Sequence, residues 1–193
     1  MVSQAQDRNM DDTQLLSQYL QGDESALTQL VQQYQKEVYG FVHRQVGNHA
    51  DAADITQKVF VNVFLKAAQF NGASSFKTWL YQIAINQCKN HFRTNDRQRL
   101  DDVELESLPL FADEDFVLQL ETAEQQRILR HAVDQLPSKQ RMTVRLRLYQ
   151  ECTFVEIAEI MAASVGTAKA HYHQAVTTLR KMLEKERYEV PEL

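Results

Sequence analysis

The stretch Phe70-Asn-Gly-Ala-Ser-Ser-Phe-Lys-Thr-Trp-Leu-Tyr-Gln-Ile-Ala-Ile-Asn86 begins as a polar loop and becomes a helix. Gly72, Ser74 and Ser75 mark the loop, and Phe76, Trp79, Leu80 and Ile83 then recur at helical spacing. Ser74 or Ser75 is placed to cap the helix by accepting bonds from its first N–H groups. Further along, the same helix turns basic at Lys89, Arg93, Arg97 and Arg99, with Asn90 and His91 among them. An aromatic-edged loop leading into a basic helix suits single-stranded nucleic acid, since cations attract phosphate and a splayed base stacks on a ring. The plainer reading makes Phe76 and Trp79 core residues of an ordinary amphipathic helix, and for those two alone it is preferred.

Working outward, the chain of 193 residues is long enough for one domain or two small ones. Its 44% hydrophobic content, with only 5 Gly and 3 Pro, argues for long packed helices rather than a turn-rich β fold. No apolar run approaches the roughly 20 residues of a membrane span, and the first residues lack the apolar core of a secretion signal. A cytoplasmic protein is expected. Cys88 and Cys152 belong to no Cys-x-x-Cys pair and read as reduced, mostly buried thiols.

Upstream of the loop, Asp11-Asp12-Thr13 opens a short helix ending near Gly22. Asp23 caps a longer one, whose stripe is Leu27, Leu30, Val31, Tyr34, Val38, Phe41 and Val42. Gly47-Asn48 stops it. A third helix, from about Ala50 to Ala68, puts Ile55, Val59, Phe60, Val63 and Phe64 on one side. Downstream, periodicity fails from about Thr94 to Asp115, which reads as a tether between two domains. It returns near Phe116, and Pro137-Ser138 separates two further helices. Thr153 then caps a short amphipathic helix, Ala162 to Val165 turns tightly, and a long helix runs on from Gly166. That spacing is a helix-turn-helix whose second helix enters a major groove; a plain antiparallel helix pair is the alternative. The groove face would hold Thr167, Lys169, Ala170, His171 and Gln174.

The net charge of -5 hides an uneven distribution. Phe76 to Leu100 carries five Lys or Arg against one Asp, whereas Asp101 to Glu124 carries nine acids and no base. Attraction to DNA follows the local field, so basic segments bind despite a negative total. His43, His49, His91 and His131 stand apart in sequence, and His171 and His173 face differently on one helix, so no metal site is expected. A Gly-rich phosphate loop and a Ser, His and Asp motif are both missing. These features describe a binding protein without a cofactor rather than an enzyme.

Two segments together resemble one family, the extracytoplasmic-function sigma factors of bacterial RNA polymerase. The likeness rests on Asp51-Ala-Ala-Asp-Ile-Thr-Gln-Lys-Val-Phe60, Phe70 through Asn90, Leu136-Pro-Ser-Lys-Gln-Arg141, Phe154-Val-Glu-Ile-Ala-Glu-Ile-Met161 and Ser164-Val-Gly-Thr-Ala-Lys169. It covers about Asp11 to Arg93 and Glu121 to Leu183. The resemblance implies an all-α fold with sigma domain 2 in residues 1–95, an acidic linker in 96–115, and sigma domain 4 in 116–193. It implies docking of Asp54, Gln57, Lys58 and Phe60 on core RNA polymerase, through the largest subunit's clamp helices, with the flap as a further contact. Lys58 stands where the family usually has Glu.

By the same resemblance, the loop captures a flipped base of the single-stranded -10 element. Phe70, Ile83 and Asn86 form its pocket, with Lys66 at the edge and Asn71, Ser74 and Ser75 in the loop. Lys77, Lys89 and Arg93 follow the phosphates. Duplex -35 DNA falls to the second domain, through Ser164, Thr167, Lys169, Ala170, His171 and Gln174, with Arg141 and Arg147 reaching the backbone. Having few cations, this domain alone should bind DNA weakly. Promoter DNA and core polymerase are then the partners, together with an anti-sigma factor that is often membrane-anchored; the protein itself does not insert in a membrane. A stress or envelope response and association with the nucleoid through polymerase are also implied. Two alternatives stand beside this: an autonomous helix-turn-helix regulator, and a sigma-like adaptor that has lost promoter reading.

Overall fold

A computed structural model describes residues 12–95 and 123–189, with side chains over 12–93 and 127–184. Among these residues the regular structure is entirely helical, in two compact units. The first contains α1 (residues 12–20), α2 (Glu24–Val46), α3 (His49–Lys66), a 3-10 turn (Ala67–Gln69) and α4 (Phe76–Asn95). The second contains α5 (Ala123–Asp134), α6 (Ser138–Tyr149), most of α7 (Phe154–Met161) and α8 (Val165–Glu189). Arg97, Arg99, the expected tether and the helix start near Phe116 lie outside the described residues.

Local chemistry sets each boundary in the first unit. The Asp23 carboxylate accepts from the Ser25 N–H at 2.9 Å and starts α2. Gly47 ends α2 with φ of 73°, a left-handed backbone that residues with a side chain rarely adopt, and donates its N–H to the His43 carbonyl. Asn48 Oδ1 then accepts from Ala50 and Asp51 to start α3. Of the two serines before α4, Ser75 is the cap: its Oγ accepts from the Thr78 N–H at 3.0 Å.

The α2 stripe is buried at Leu30, Tyr34, Val38, Phe41 and Val42, while Leu27 and Val31 lie half-buried at its margin. It packs against α3 and α4. Phe41 meets Tyr81 edge-on at 5.1 Å, and Tyr34 meets Phe76 at 5.6 Å. Helix α3 departs from expectation. Ile55, Val59 and Val63 are core, but Phe60 is half-buried and Phe64 is 54% exposed. Helix α1 is fastened to α2 by the buried Asp12 carboxylate, which accepts from the Tyr34 hydroxyl and from Gln33 Nε2 at 3.1 Å. Burial and that carboxylate push the Tyr34 phenol well above its ordinary pKa. Cys88 is buried and its thiol is pushed up to about 12 by burial, which leaves it inert.

The second unit packs α5 and α6 on α8 around Leu129, Val133, Leu136, Val144, Tyr172, Val176 and Leu179. Pro137 precedes α6, and the guanidiniums of that helix hold the end of α5. Arg145, buried, bonds Asp134 Oδ1 at 2.6 Å, and Arg141 donates to the Asp134 carbonyl at 2.7 Å. Burial lowers the Arg145 pKa, with Asp134 opposing. Helix α7 opens with a capping box: Thr153 N–H donates to the Glu156 carboxylate at 2.7 Å, and Thr153 Oγ1 accepts from the Glu156 N–H. Ala162, at φ of 54°, ends α7. Ser164 Oγ then accepts from the Thr167 N–H at 3.0 Å and starts α8.

His171 is 3% exposed, and its Nδ1 has no hydrogen-bond partner among the described residues. Burial first, then the nearby Lys139 charge, holds its pKa below the ordinary 6.5.

Two predictions follow from the buried polar groups. Tyr34→Phe leaves the Asp12 carboxylate short of a donor and costs about 1–3 kcal/mol. Trp79, the single tryptophan, reports this unit's urea transition by fluorescence; an unshifted midpoint would contradict burial of Asp12. For His171, the unfolded chain takes up a proton near 6.5 while the folded chain resists it. Stability of the second unit is therefore full above that pH and declines as pH falls through and below it. His171→Asn should flatten the decline in far-UV circular dichroism melts, while the Trp79 transition keeps its pH dependence.

Candidate nucleic-acid interface

The loop between the 3-10 turn and α4 is built by two local devices. Asn71 Oδ1 accepts from the Ala73 N–H at 3.0 Å, and Gly72 supplies a φ of +71°. Phe70 is half-buried, with its ring 5.3 Å from Trp79 and 6.2 Å from Phe76. Since Phe76 is buried against Tyr34, the aromatic cluster fixes the loop to the α2–α4 core. Phe76 is thus core, as the plain reading has it, whereas Trp79 is half-exposed beside Phe70.

Beyond the loop, Asn86, Lys89, Asn90 and Arg93 recur at helical spacing on α4, and all four are exposed. The helix from Phe76 to Asn95 contains no carboxylate. Lys66 is also exposed, as is Asn71, while Ser74, Ser75 and Lys77 are half-buried. Ile83 is 7% exposed. Its side chain belongs to the core, a correction to its expected place in the base pocket. A helix that buries Leu80, Tyr81, Ala84 and Ile85 carries Ile83 inward with them.

On α3, Asp54, Gln57, Lys58, Val61, Phe64 and Leu65 form one exposed face at spacings of three and four. Its first half is polar: Lys58 Nζ lies 2.6 Å from Asp54 Oδ2, with both side chains more than half exposed. Its second half is apolar, with Val61 at 48%, Phe64 at 54% and Leu65 at 66% exposure. Leu20 on α1 is 50% exposed, and the Tyr19 ring lies 6.0 Å from that of Phe64, which extends the apolar half. Phe60 sits half-buried at the margin. An exposed apolar patch bordered by charge is a feature of protein-binding surfaces.

In the second unit, Ala168, Tyr172, Ala175, Val176 and Leu179 are the buried stripe of α8. That phase leaves Lys169 exposed and Thr167, Ala170, His173 and Gln174 half-exposed. His171 turns inward, so its expected place on the groove face is corrected, and His173 is the histidine on the open side. Ser164 and Thr167 are joined by their hydroxyls at 2.8 Å in the cap. Gln174 Oε1 accepts from Gln140 Nε2 at 3.2 Å. The two α6 arginines also serve the framework: Arg141 holds the end of α5, and Arg147 bonds the Cys152 carbonyl at 3.1 Å beneath the Phe154 ring. Both are half-buried.

His43 and His49 stack at 4.2 Å across the α2–α3 corner, and Tyr39 Oη lies 2.8 Å from His49 Nδ1. No group of metal-ligating side chains occurs among the described residues. Nor is any described helix long and apolar enough to cross a membrane.

Comparison with known proteins accounts for both units. Residues 30–98 match Sigma-70 region 2, and residues 126–179 match Sigma-70, region 4. The RNA polymerase sigma-H factor of Pseudomonas aeruginosa is 30% identical over 192 residues, covering 95% of this chain and 97% of that one. The ECF RNA polymerase sigma factor SigW of Bacillus subtilis is 32% identical over 181 residues, covering 87% and 94%. Among solved structures, CnrH in complex with the cytosolic domain of CnrY has a TM-score of 0.66 at 20% identity, covering 91% of this chain and 98% of that one. RpoE of Bartonella quintana, solved with the anti-sigma factor NepR, has a TM-score of 0.63 at 22% identity, covering 81% and 96%. These two likenesses concern the fold. With both sigma-70 regions matched in order and relatives aligned over nearly their whole length, the chain belongs to the extracytoplasmic-function sigma factors of the sigma-70 family.

Proposed function

We propose that this sigma factor divides promoter-specific initiation among three surfaces. The outer face of α3 docks on core RNA polymerase, the loop and outer row of α4 take the melted -10 strand, and the open side of α8 meets the -35 duplex. The carboxylate-free row of Asn86, Lys89, Asn90 and Arg93 beside the aromatic loop carries this reading. It gives phosphate a cationic track and leaves an amide at Asn86 whose donor and acceptor suit a base edge. Phe70 and Trp79 supply the apolar wall. Extruding a base costs a few kcal/mol, so holding it keeps the strands apart.

The α3 face suits a helical protein partner with a charged rim. Its polar half, Asp54, Gln57 and Lys58, sets register, and its apolar half, Val61, Phe64 and Leu65, adds burial. On α8 the exposed cations Lys169 and Lys181 are few, so this unit releases few counterions and depends on polymerase to be held at DNA. An anti-sigma factor that covers the polymerase-binding surfaces would keep the protein idle. The complexes in which CnrH and RpoE were solved support such a partner.

Run-off transcription with purified core polymerase tests the whole reading: start sites should appear only when this protein is added. Asp54→Ala with Gln57→Ala should weaken core binding about tenfold, in line with loss of an interface anchor; fluorescence titration against core reads this. Asn86→Ala should leave core affinity unchanged and lower open-complex formation several-fold, seen as lost permanganate reactivity of thymines. Equal loss of both activities in both variants would overturn the division of labour.

A further inference from the structure

Gln140 and Gln174 are joined across the packing of α6 on α8, and the direction of their bond bears on what α8 can read. Gln140 Nε2 donates to Gln174 Oε1 at 3.2 Å. Gln174 is half-exposed, one turn beyond Ala170 on the open side of α8. The two arms of a side-chain amide differ, since the oxygen accepts and the nitrogen donates. With Oε1 turned to α6, the Nε2 arm is the one left for a ligand, and no acceptor among the described residues takes its protons.

Gln140 itself adds little to folding. Its carbonyl oxygen is buried with no partner among the described residues. An apolar side chain of similar size would pack α6 on α8 without an orphaned acceptor. The one bond that its amide makes is the bond that sets Gln174.

We propose that Gln140 is a positioning residue that holds Gln174 as a hydrogen-bond donor toward the -35 duplex and so sets the base preference at one position. The inference rests on the reading of α8 as the face for that duplex. A glutamine free to rotate reads adenine through both arms, accepting from N6 and donating to N7. Held by Gln140, Gln174 offers donors alone. Guanine presents two acceptors in the major groove, O6 and N7, and no donor, whereas cytosine presents only a donor. Gln174 therefore favours guanine and refuses cytosine, whose amino group would meet its own. Adenine and thymine, each with one usable acceptor, rank between them.

The test uses holoenzyme assembled from core polymerase and the full chain, on a promoter that it transcribes, with each -35 position varied through all four base pairs. The position whose preference Gln174→Ala flattens is the one that Gln174 reads. There the wild type should prefer one orientation of a G·C pair to the other by about fivefold or more, the range of a good side-chain–base contact. Both orientations of A·T should fall between. Gln140→Leu frees the Gln174 amide and should bring one A·T orientation level with the preferred G·C, while far-UV circular dichroism melts show no loss of stability. Gln140→Glu, which can only accept, should turn the Gln174 oxygen outward and reverse the order of the two G·C orientations. The proposal is overturned if the wild type prefers A·T at that position, if either Gln140 variant keeps the wild-type order of bases, or if its loss is equal for all four. Lys169→Ala separates the two levels. If neither it nor Gln174→Ala changes any -35 preference, the reading of α8 falls and this proposal with it. If Lys169→Ala changes one and Gln174→Ala none, that reading stands and Gln140 alone is misassigned.

Discussion

Burial of the Phe76 and Tyr81 side of α4 against α2 is the constraint on which the first unit depends. Phe76 lies against Tyr34, and Tyr81 against Phe41, with all four rings buried. Aromatic residues bring a large buried area and preferred tilted geometry, so two such pairs along one helix resist both rotation and sliding. Once that side is fixed, helical periodicity fixes the opposite side, and Asn86, Lys89, Asn90 and Arg93 must face outward. The same cluster reaches back through Trp79 to Phe70. One packing decision therefore positions both the loop and the row of cations.

Where the sequence had a single apolar stripe, it could be read directly. Helix α2 is polar on its outer side, so Leu30, Tyr34, Val38 and Phe41 left no ambiguity. Helix α3 is apolar at Ile55, Val59, Phe60, Val61, Val63, Phe64 and Leu65, nearly all round its second half. Periodicity cannot choose which of those residues face inward, because packing on α2 and α4 makes the choice. Periodicity alone groups Phe64 with Ile55 and Val63, whereas packing turns it outward beside Val61 and Leu65. For α8 the information was present: small Ala168 and Ala175 alternate with Tyr172 and Leu179, a phase that turns His171 inward and His173 out. Ile83 is the matching case on α4. The two α6 arginines and the stacked His43–His49 pair were beyond reach, since charge and residue type are written in the chain but contact partners are not.

Charge is organised in the same manner. Counterion release depends on cations that reach phosphate, not on their total. Arg141, Arg145 and Arg147 all lie on one short helix, yet each is turned toward the chain's own carbonyls, carboxylate or ring. Of these, Arg145 is paired with a carboxylate, that of Asp134. On α4, by contrast, Lys89 and Arg93 stand exposed on a helix that has no acid to neutralise them. The net charge of -5 describes neither surface.

The proposed docking face of α3 joins two kinds of interaction that differ in strength. Asp54 and Lys58 form an exposed pair along the helix, of a kind that contributes about 0.3–0.5 kcal/mol. Separating them to meet a partner therefore costs little. Fully burying a side chain such as Phe64 or Leu65 is worth about 1.5–3 kcal/mol each. Val61, Phe64 and Leu65 should consequently supply the larger share of affinity, while the polar half adds a smaller share and decides which partner and which register are accepted. The Lys58 charge is balanced by its own neighbour, Asp54, within one turn of the helix, so the polar half presents a paired rather than a net charge.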